Sequence, residues 1–147
     1  MTNLNIPPFD YKIKKSDEKL LIFDILRKKY VVLTPEEWVR QHFIHYLINH
    51  HQYPKSLIKV ESGLSYNQRL KRTDIQVFNR DGQLFMIIEC KAPHIPLNQQ
   101  VFEQAAQYNK VLKAAYITIT NGLAWYACST DWETMSIQFL DNLPEFK

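Results

Sequence analysis

A chain of 147 residues with 46% hydrophobic and 13% aromatic content can bury one sizeable core and is too short for two ordinary domains. We read residues 1–147 as a single domain, with 1–30 as an N-terminal extension and 31–130 as its core. A net charge of +3 suits a polyanionic partner without requiring one. Lys, Asp and Pro interrupt every apolar run near the N-terminus, so no signal peptide or membrane partner is expected and a cytoplasmic location is. Gly63, Gly82 and Gly122 form no G-x-x-x-x-G-K-[ST] or G-x-G-x-x-G pattern, which excludes a P-loop motor and a dinucleotide-binding turn within this chain. Cys90 and Cys128 lie far apart without a C-x-x-C pair and are expected to be buried thiols.

The first residues, with Pro7 and Pro8, read as an extended arm leading to strand-like stretches at 20–23 and 30–33. Thr34-Pro35-Glu36-Glu37 is a helix start: Thr34 can cap, Pro35 suits the first helical position and Glu37 sits where a capping-box carboxylate stands. The helix should run to about residue 49, with Val39, Phe43 and Leu47 on its buried face. After a turn at Tyr53-Pro54, residues 58–60 form a short strand and 62–70 an exposed connection. Residues 73–78 and 84–90 then read as a hairpin around Asn79-Arg80-Asp81-Gly82. Pro93 and Pro96 end the second strand, 97–113 is a second helix, and 115–120 and 123–128 are strands joined at Asn121-Gly122. The order is α-β-β-α-β-β with extra terminal strands, an α/β (α+β) class with a mixed central sheet flanked by helices.

The chemistry gathers at the hairpin. If Asp81 and Gly82 are the central turn residues, counting outward sets Asp74 directly opposite Glu89. Their β-carbons would lie about 4.5–5.5 Å apart, where facing like charges destabilise a sheet unless something offsets them. A divalent cation does so, and two carboxylates suit an oxygen-seeking ion such as Mg²⁺, with Mn²⁺ as a substitute. Glu89 and Lys91 project from one face of the strand while Cys90 points to the other, so the lysine can orient water or stabilise charge on a phosphate. The alternative is that Asp74 and Glu89 pair with Lys91 and Arg72 on a solvated edge. Against it, residues 84–88 are too apolar for an exposed edge.

The runs Lys71-Arg72-Thr73-Asp74-Ile75, Ile88-Glu89-Cys90-Lys91-Ala92-Pro93 and Gln104-Ala105-Ala106-Gln107-Tyr108 resemble the D, E-x-K and Q-x-x-x-Y motifs of the N-terminal nuclease domain of type I restriction enzyme R (HsdR) subunits, over roughly residues 30–126. The resemblance implies a PD-(D/E)XK fold and a Mg²⁺-dependent DNA endonuclease. It implies that Asp74 and Glu89 bind metal and that Lys91 acts as base or positions water. Gln104 and Tyr108 share one helix face and either support the site, contact DNA or simply pack. Related folds place a glutamate of the first helix near the metal. Glu36, on the face of Val39, Phe43 and Leu47, is preferred over Glu37, although a helix dipole alone explains acidic residues in a first turn.

Such R subunits continue into motor domains, whereas this chain reaches Lys147 without a P-loop. Other restriction–modification subunits or a motor protein are therefore expected partners beside DNA, and the oligomeric state stays open. The alternative function is a non-catalytic DNA-binding or assembly module that keeps the scaffold. Arg69, Lys71 and Arg72 are either DNA-backbone contacts or a solvated basic loop. His42 and His45 lack a third ligand at sensible spacing, so a zinc site is not expected. Trp125, Tyr126 and Trp132 read as packing residues.

Overall fold

A computed structural model describes residues 1–60 and 74–147. The Thr34-Pro35 start opens a long helix, α1 (Pro35–His51), where Thr34 Oγ1 accepts the Glu37 N–H at 3.0 Å. The helix closes at Gln52, whose left-handed backbone (φ 54°) caps the last turn. Val39, Phe43, Ile44 and Leu47 are wholly buried, as their helical spacing requires.

Before α1 the chain builds a small antiparallel sheet from β1 (Ile13–Ser16), β2 (Lys19–Asp24) and β3 (Lys29–Val32). After it come β4 (Ile58–Val60), β5 (Ile75–Phe78), β6 (Leu84–Cys90), helix α2 (Gln99–Leu112), β7 (Tyr116–Thr120), β8 (Trp125–Asp131) and β9 (Ser136–Leu140). These six strands form one sheet in chain order. Its neighbours are antiparallel except β6 and β7, which run parallel and are joined by α2, because a parallel pair needs a long crossover. The molecule is thus of mixed α/β class. Among the described residues no helix is long and apolar enough to cross a membrane.

β6 is buried from Phe85 to Cys90. From Met86 onward its side chains alternate between two apolar clusters: Met86, Ile88 and Cys90 pack with Val39, Phe43 and Leu47 of α1, whereas Ile87 packs with Val101 and Ala105 of α2. Glu89 shares the parity of Ile87 and so looks to the α2 side. Leu143 and, at its margin, Leu140 and Phe146 also pack on the α1 cluster, so packing continues past residue 130.

The hairpin turn differs from the two-residue turn expected. Asn79 Oδ1 accepts the N–H groups of Asp81 (2.9 Å) and Gln83 (2.8 Å), which widens the loop so that Phe78, not Asn79, pairs with Leu84. A bulge beside Phe78 absorbs the extra residue, and Val77 pairs with Met86 and Ile75 with Ile88. One residue further in the same register, Asp74 stands level with Glu89. The strand register at that end therefore matches the count from a tight turn, although the turn itself does not.

Candidate active site

Asp74, just before β5, and Glu89 and Lys91, at the end of β6, are brought together by this pairing. Asp74 Oδ2 accepts the Cys90 N–H at 2.7 Å, and Lys91 Nζ lies 3.4 Å from Glu89 Oε1. Glu89 is only 3% exposed, while the lysine side chain remains 21% exposed. A carboxylate this deep retains its charge only beside cations or donors, and Lys91 is one such cation. Burial raises the Cys90 thiol well above its usual range, and Asp74 adds to the effect, so the residue between the acid and the lysine is an inert apolar plug.

Another partner of Asp74 is a residue the sequence reading did not single out. Arg40 Nη2 lies 2.6 Å from Asp74 Oδ1, and Arg40 Nη1 binds Glu37 Oε1 at 2.5 Å. Burial alone would lower the pKa of Arg40, but Asp74 and Glu37 raise it above the ordinary arginine value. Glu37 also receives Gln41 Nε2 at 2.9 Å and Arg27 Nη2 at 3.3 Å. Arg27 Nε in turn lies 2.6 Å from Asp24, a wholly buried carboxylate that caps the β2–β3 turn through the Leu26 and Arg27 N–H groups. An alternating chain, Asp24, Arg27, Glu37, Arg40, Asp74, thus runs from the N-terminal sheet to the site.

The two first-turn glutamates divide differently from the capping argument. Glu37 gives its N–H to Thr34, but its carboxylate serves Arg27, Arg40 and Gln41, and its side chain is 8% exposed. Glu36 is 44% exposed and lies 3.5 Å from Arg40. Its carboxyl is pushed up by partial burial and by Asp74, with Glu89 adding repulsion and Arg40 and Lys91 opposing it, which sets Glu36 among the charges of the site.

From α2, Tyr108 is half-buried and its phenol is raised, by desolvation first and by Glu89 second, so it keeps its proton. Gln104 is exposed one turn earlier. Arg69, Lys71 and Arg72 lie outside the described residues. His42 is occupied elsewhere: its Nδ1 is 2.8 Å from Trp38 O, and its ring and that of His45 pack on Phe9. Trp132 Nε1 donates to Ala114 O at 3.3 Å and Trp125 packs at the edge of the core, but Tyr126 departs from the packing role expected of it, being half exposed.

A family model described as the type I restriction enzyme R protein N terminus (HSDR_N) matches residues 35–144, which contain every site residue named above except Asp24 and Arg27. This chain belongs to that family. No curated protein matches. Among solved structures, the chain is similar to the fragment structure of a protein assigned as an HsdR subunit of a type I restriction enzyme from Vibrio vulnificus YJ016, at 24% identity and a TM-score of 0.39. The match covers 60% of this chain and 16% of that one, so the chain corresponds to a small part of that relative's length.

In this R-subunit N-terminal domain Glu36, Asp74 and Glu89 offer carboxylate oxygens, the hard donors that Mg²⁺ takes. The Glu36 carboxyl is raised first by burial and then by repulsion from Asp74, and a cation would relieve the second of these. The carboxylates do not stand as a ready-made cage: among the described residues no three His, Cys, Asp or Glu side chains converge closely enough to hold an ion. Asp74 Oδ1 faces the Arg40 guanidinium, and a metal ligated by Asp74 would share that carboxylate with it.

Proposed function

We propose that this domain is a PD-(D/E)XK nuclease that hydrolyses DNA phosphodiesters with Mg²⁺, or Mn²⁺ in its place. The observation that carries the reading is the end of β6: a buried Glu89 with Lys91 3.4 Å away, level with Asp74 on the neighbouring strand, in a chain of the R-subunit N-terminal family. Asp74, Glu89 and Glu36 would hold the cation. When bound, such an ion supplies charge neutralisation at the phosphate and lowers the pKa of a water.

The chain's own groups account for the rest. Lys91, tethered beside Glu89 as an ammonium, orients the attacking water and stabilises negative charge on the phosphate. Tyr108, held protonated, donates a hydrogen bond at the α2 side of the site, and Gln104 extends that face toward DNA. Arg40 holds Asp74 in place from behind. DNA is the substrate, and specificity comes through partner restriction–modification subunits or a motor protein in the cytoplasm.

The deciding experiment is calorimetric titration of Mn²⁺ into the wild type and Asp74→Ala, with plasmid nicking on the same samples and on Lys91→Ala. Asp74-dependent binding together with Lys91-dependent nicking is the expected result. Equal nicking by wild type and Lys91→Ala would sink the nuclease reading. A second reading, a non-catalytic DNA-binding or assembly module, is favoured by the Arg40–Asp74 ion pair, which already neutralises the carboxylate without metal. Salt-sensitive DNA binding with no nicking is its signature.

A further inference from the structure

Positive charge gathers in a cleft beside the edge of the large sheet. The turn between β2 and β3 and the segment leading into β4, the edge strand of the large sheet, face each other across a cleft of about 480 Å³. Arg27, Lys28, Lys55 and Lys59 line it together with Ser56, above an apolar floor, and none of the described residues that line it is a carboxylate.

The three lysines are exposed and make no ion pair among the described residues, in contrast to Arg27, which is held by Asp24 and Glu37. Lys28 is presented by a fixed turn, its N–H donating to Asp24 O at 2.7 Å from a left-handed backbone (φ 56°). The volume falls within the roughly 300–1,000 Å³ of ligand clefts, and like charges on low-dielectric walls focus the field and concentrate counter-anions. A lone phosphate is better gripped by forked guanidinium or converging N–H groups. Separate lysine point charges on two walls instead suit a narrow ligand that carries anions at intervals.

We propose that this cleft binds the phosphate backbone of a nucleic acid. The inference rests on the nucleic-acid side of the function proposed above and adds a second place of contact to it. Arg27 belongs both to the cleft wall and to the ion-pair chain that ends at Asp74, so the backbone is held at the far end of the network that fixes the site carboxylate.

The test is fluorescence polarisation of a short labelled duplex, in EDTA, across a salt series. It compares the wild type, the cleft variant Lys28→Glu/Lys55→Glu/Lys59→Glu and the control variant Lys15→Glu/Lys19→Glu/Lys110→Glu. All six lysines are exposed, and circular dichroism of both variants should match the wild type. The cleft variant should lose at least about tenfold in affinity, and its log–log salt slope should shrink by about 3, one per phosphate contact removed. The control should keep most of the slope. Equal losses in the two variants, or no wild-type binding at low salt, would overturn the assignment. Displacement of the duplex by inorganic phosphate at constant ionic strength would also overturn it, marking a single-phosphate pocket instead. Nicking with Mn²⁺ is scored separately. If Lys91-dependent nicking persists while the cleft variant behaves like the control, only the cleft fails; cleft-dependent binding without nicking removes only the nuclease.

Discussion

Arg40 Nη2 and Asp74 Oδ1 meet at 2.6 Å, joining the first turns of α1 to the residue that opens β5. The same guanidinium holds Glu37, and both side chains of that second pair are largely buried, at 13% and 8% exposure. Removing Arg40 would take a cation from two carboxylates at once, leaving Glu37 to Arg27 and Gln41 and leaving Asp74 its hydrogen bond from the Cys90 N–H. Breaking a buried pair from one side costs roughly 3–5 kcal/mol, far more than a surface pair contributes. Arg40→Gln should therefore lose about that much in urea unfolding, and Glu37→Gln/Arg40→Gln should recover only the part due to Glu37, because Asp74 stays charged without its guanidinium. A loss below about 1 kcal/mol for the single variant would mean that solvent screens the pair.

Two carboxylates of this network should respond to pH with opposite signs. At Asp24, burial works to raise the pKa, but the hydrogen bonds and charge of Arg27 prevail and hold it below the ordinary value. Its stabilising contribution is complete above the unfolded carboxylate pKa of about 3.9 and disappears as pH falls through the lower folded value. Asp24→Asn should lower Tm at neutral pH and flatten the acid limb. Glu36 is raised, by burial and then by Asp74, so its charged form is penalised in the fold. Glu36→Gln should raise Tm at neutral pH, with the gain vanishing in acid, where the wild-type carboxyl is itself protonated. Melting curves of the three proteins from acid to neutral pH give both signs; a lower Tm for Glu36→Gln at neutrality would contradict the repulsion argument.

The elements carried by local chemistry were legible in the sequence. Thr34-Pro35 marked the start of α1, and the spacing of Val39, Phe43 and Leu47 its buried face, because capping and helical periodicity are short-range. The meeting of Asp74 with the end of β6 also followed from counting pairs, although Asn79 widened the turn and a bulge restored the register, two local events that cancel. What escaped was long-range. Nothing near Arg40 announces that its partner is 34 residues away, although its place three and four residues after Glu37 and Glu36 was a usable sign that it shares their helix face. Asp24 and Arg27 were not singled out for the same reason: they lie between two strand-like stretches, and their link to the site passes through Glu37 of α1. β9 was expected only as one of the extra terminal strands, without bounds: Ser136-Ile137-Gln138-Phe139 alternates as a strand does, but four of its five residues are exposed, so its apolar side chains mark no buried face.

The residues around Glu89 should separate chemistry from support. Lys91 stands beside the buried carboxylate, and Tyr108 reaches it electrostatically from α2. A group that stabilises charge developing in the reaction typically contributes about 100-fold or more, and a supporting hydrogen bond about 10–100-fold. Lys91→Ala should thus lower nicking by at least about 100-fold and Tyr108→Phe by about tenfold. Gln104→Ala, on an exposed side chain, should affect DNA affinity more than the cleavage rate. Single-turnover nicking at saturating protein distinguishes them, and equal rates for Tyr108→Phe and wild type would remove the tyrosine from the site.

The N-terminal segment is fastened to the sheet at a glycine, which makes its contribution measurable. Gly122 has a left-handed backbone (φ 85°), and a β-carbon there would meet Leu4 at 2.8 Å and Val39 of α1 at 3.1 Å. Its carbonyl accepts the Asn5 N–H at 2.8 Å, and Asn5 Nδ2 reaches Leu123 O at 2.9 Å. An alanine must therefore strain its own φ and push the Leu4 side chain away from the turn. Each effect is worth on the order of 1 kcal/mol, the first because L-residues disfavour this region. Gly122→Ala should lose about 1–3 kcal/mol in urea unfolding. Gly82→Ala, with φ 80° but no atom within 4 Å of the new β-carbon, should show only the backbone part. Adding Leu4→Ala to each separates the two terms: it should reduce the penalty at Gly122 and leave that at Gly82 unchanged. Equal penalties at the two glycines would mean that Leu4 gives way freely and that the N-terminal segment is held by its hydrogen bonds rather than by close packing at the turn.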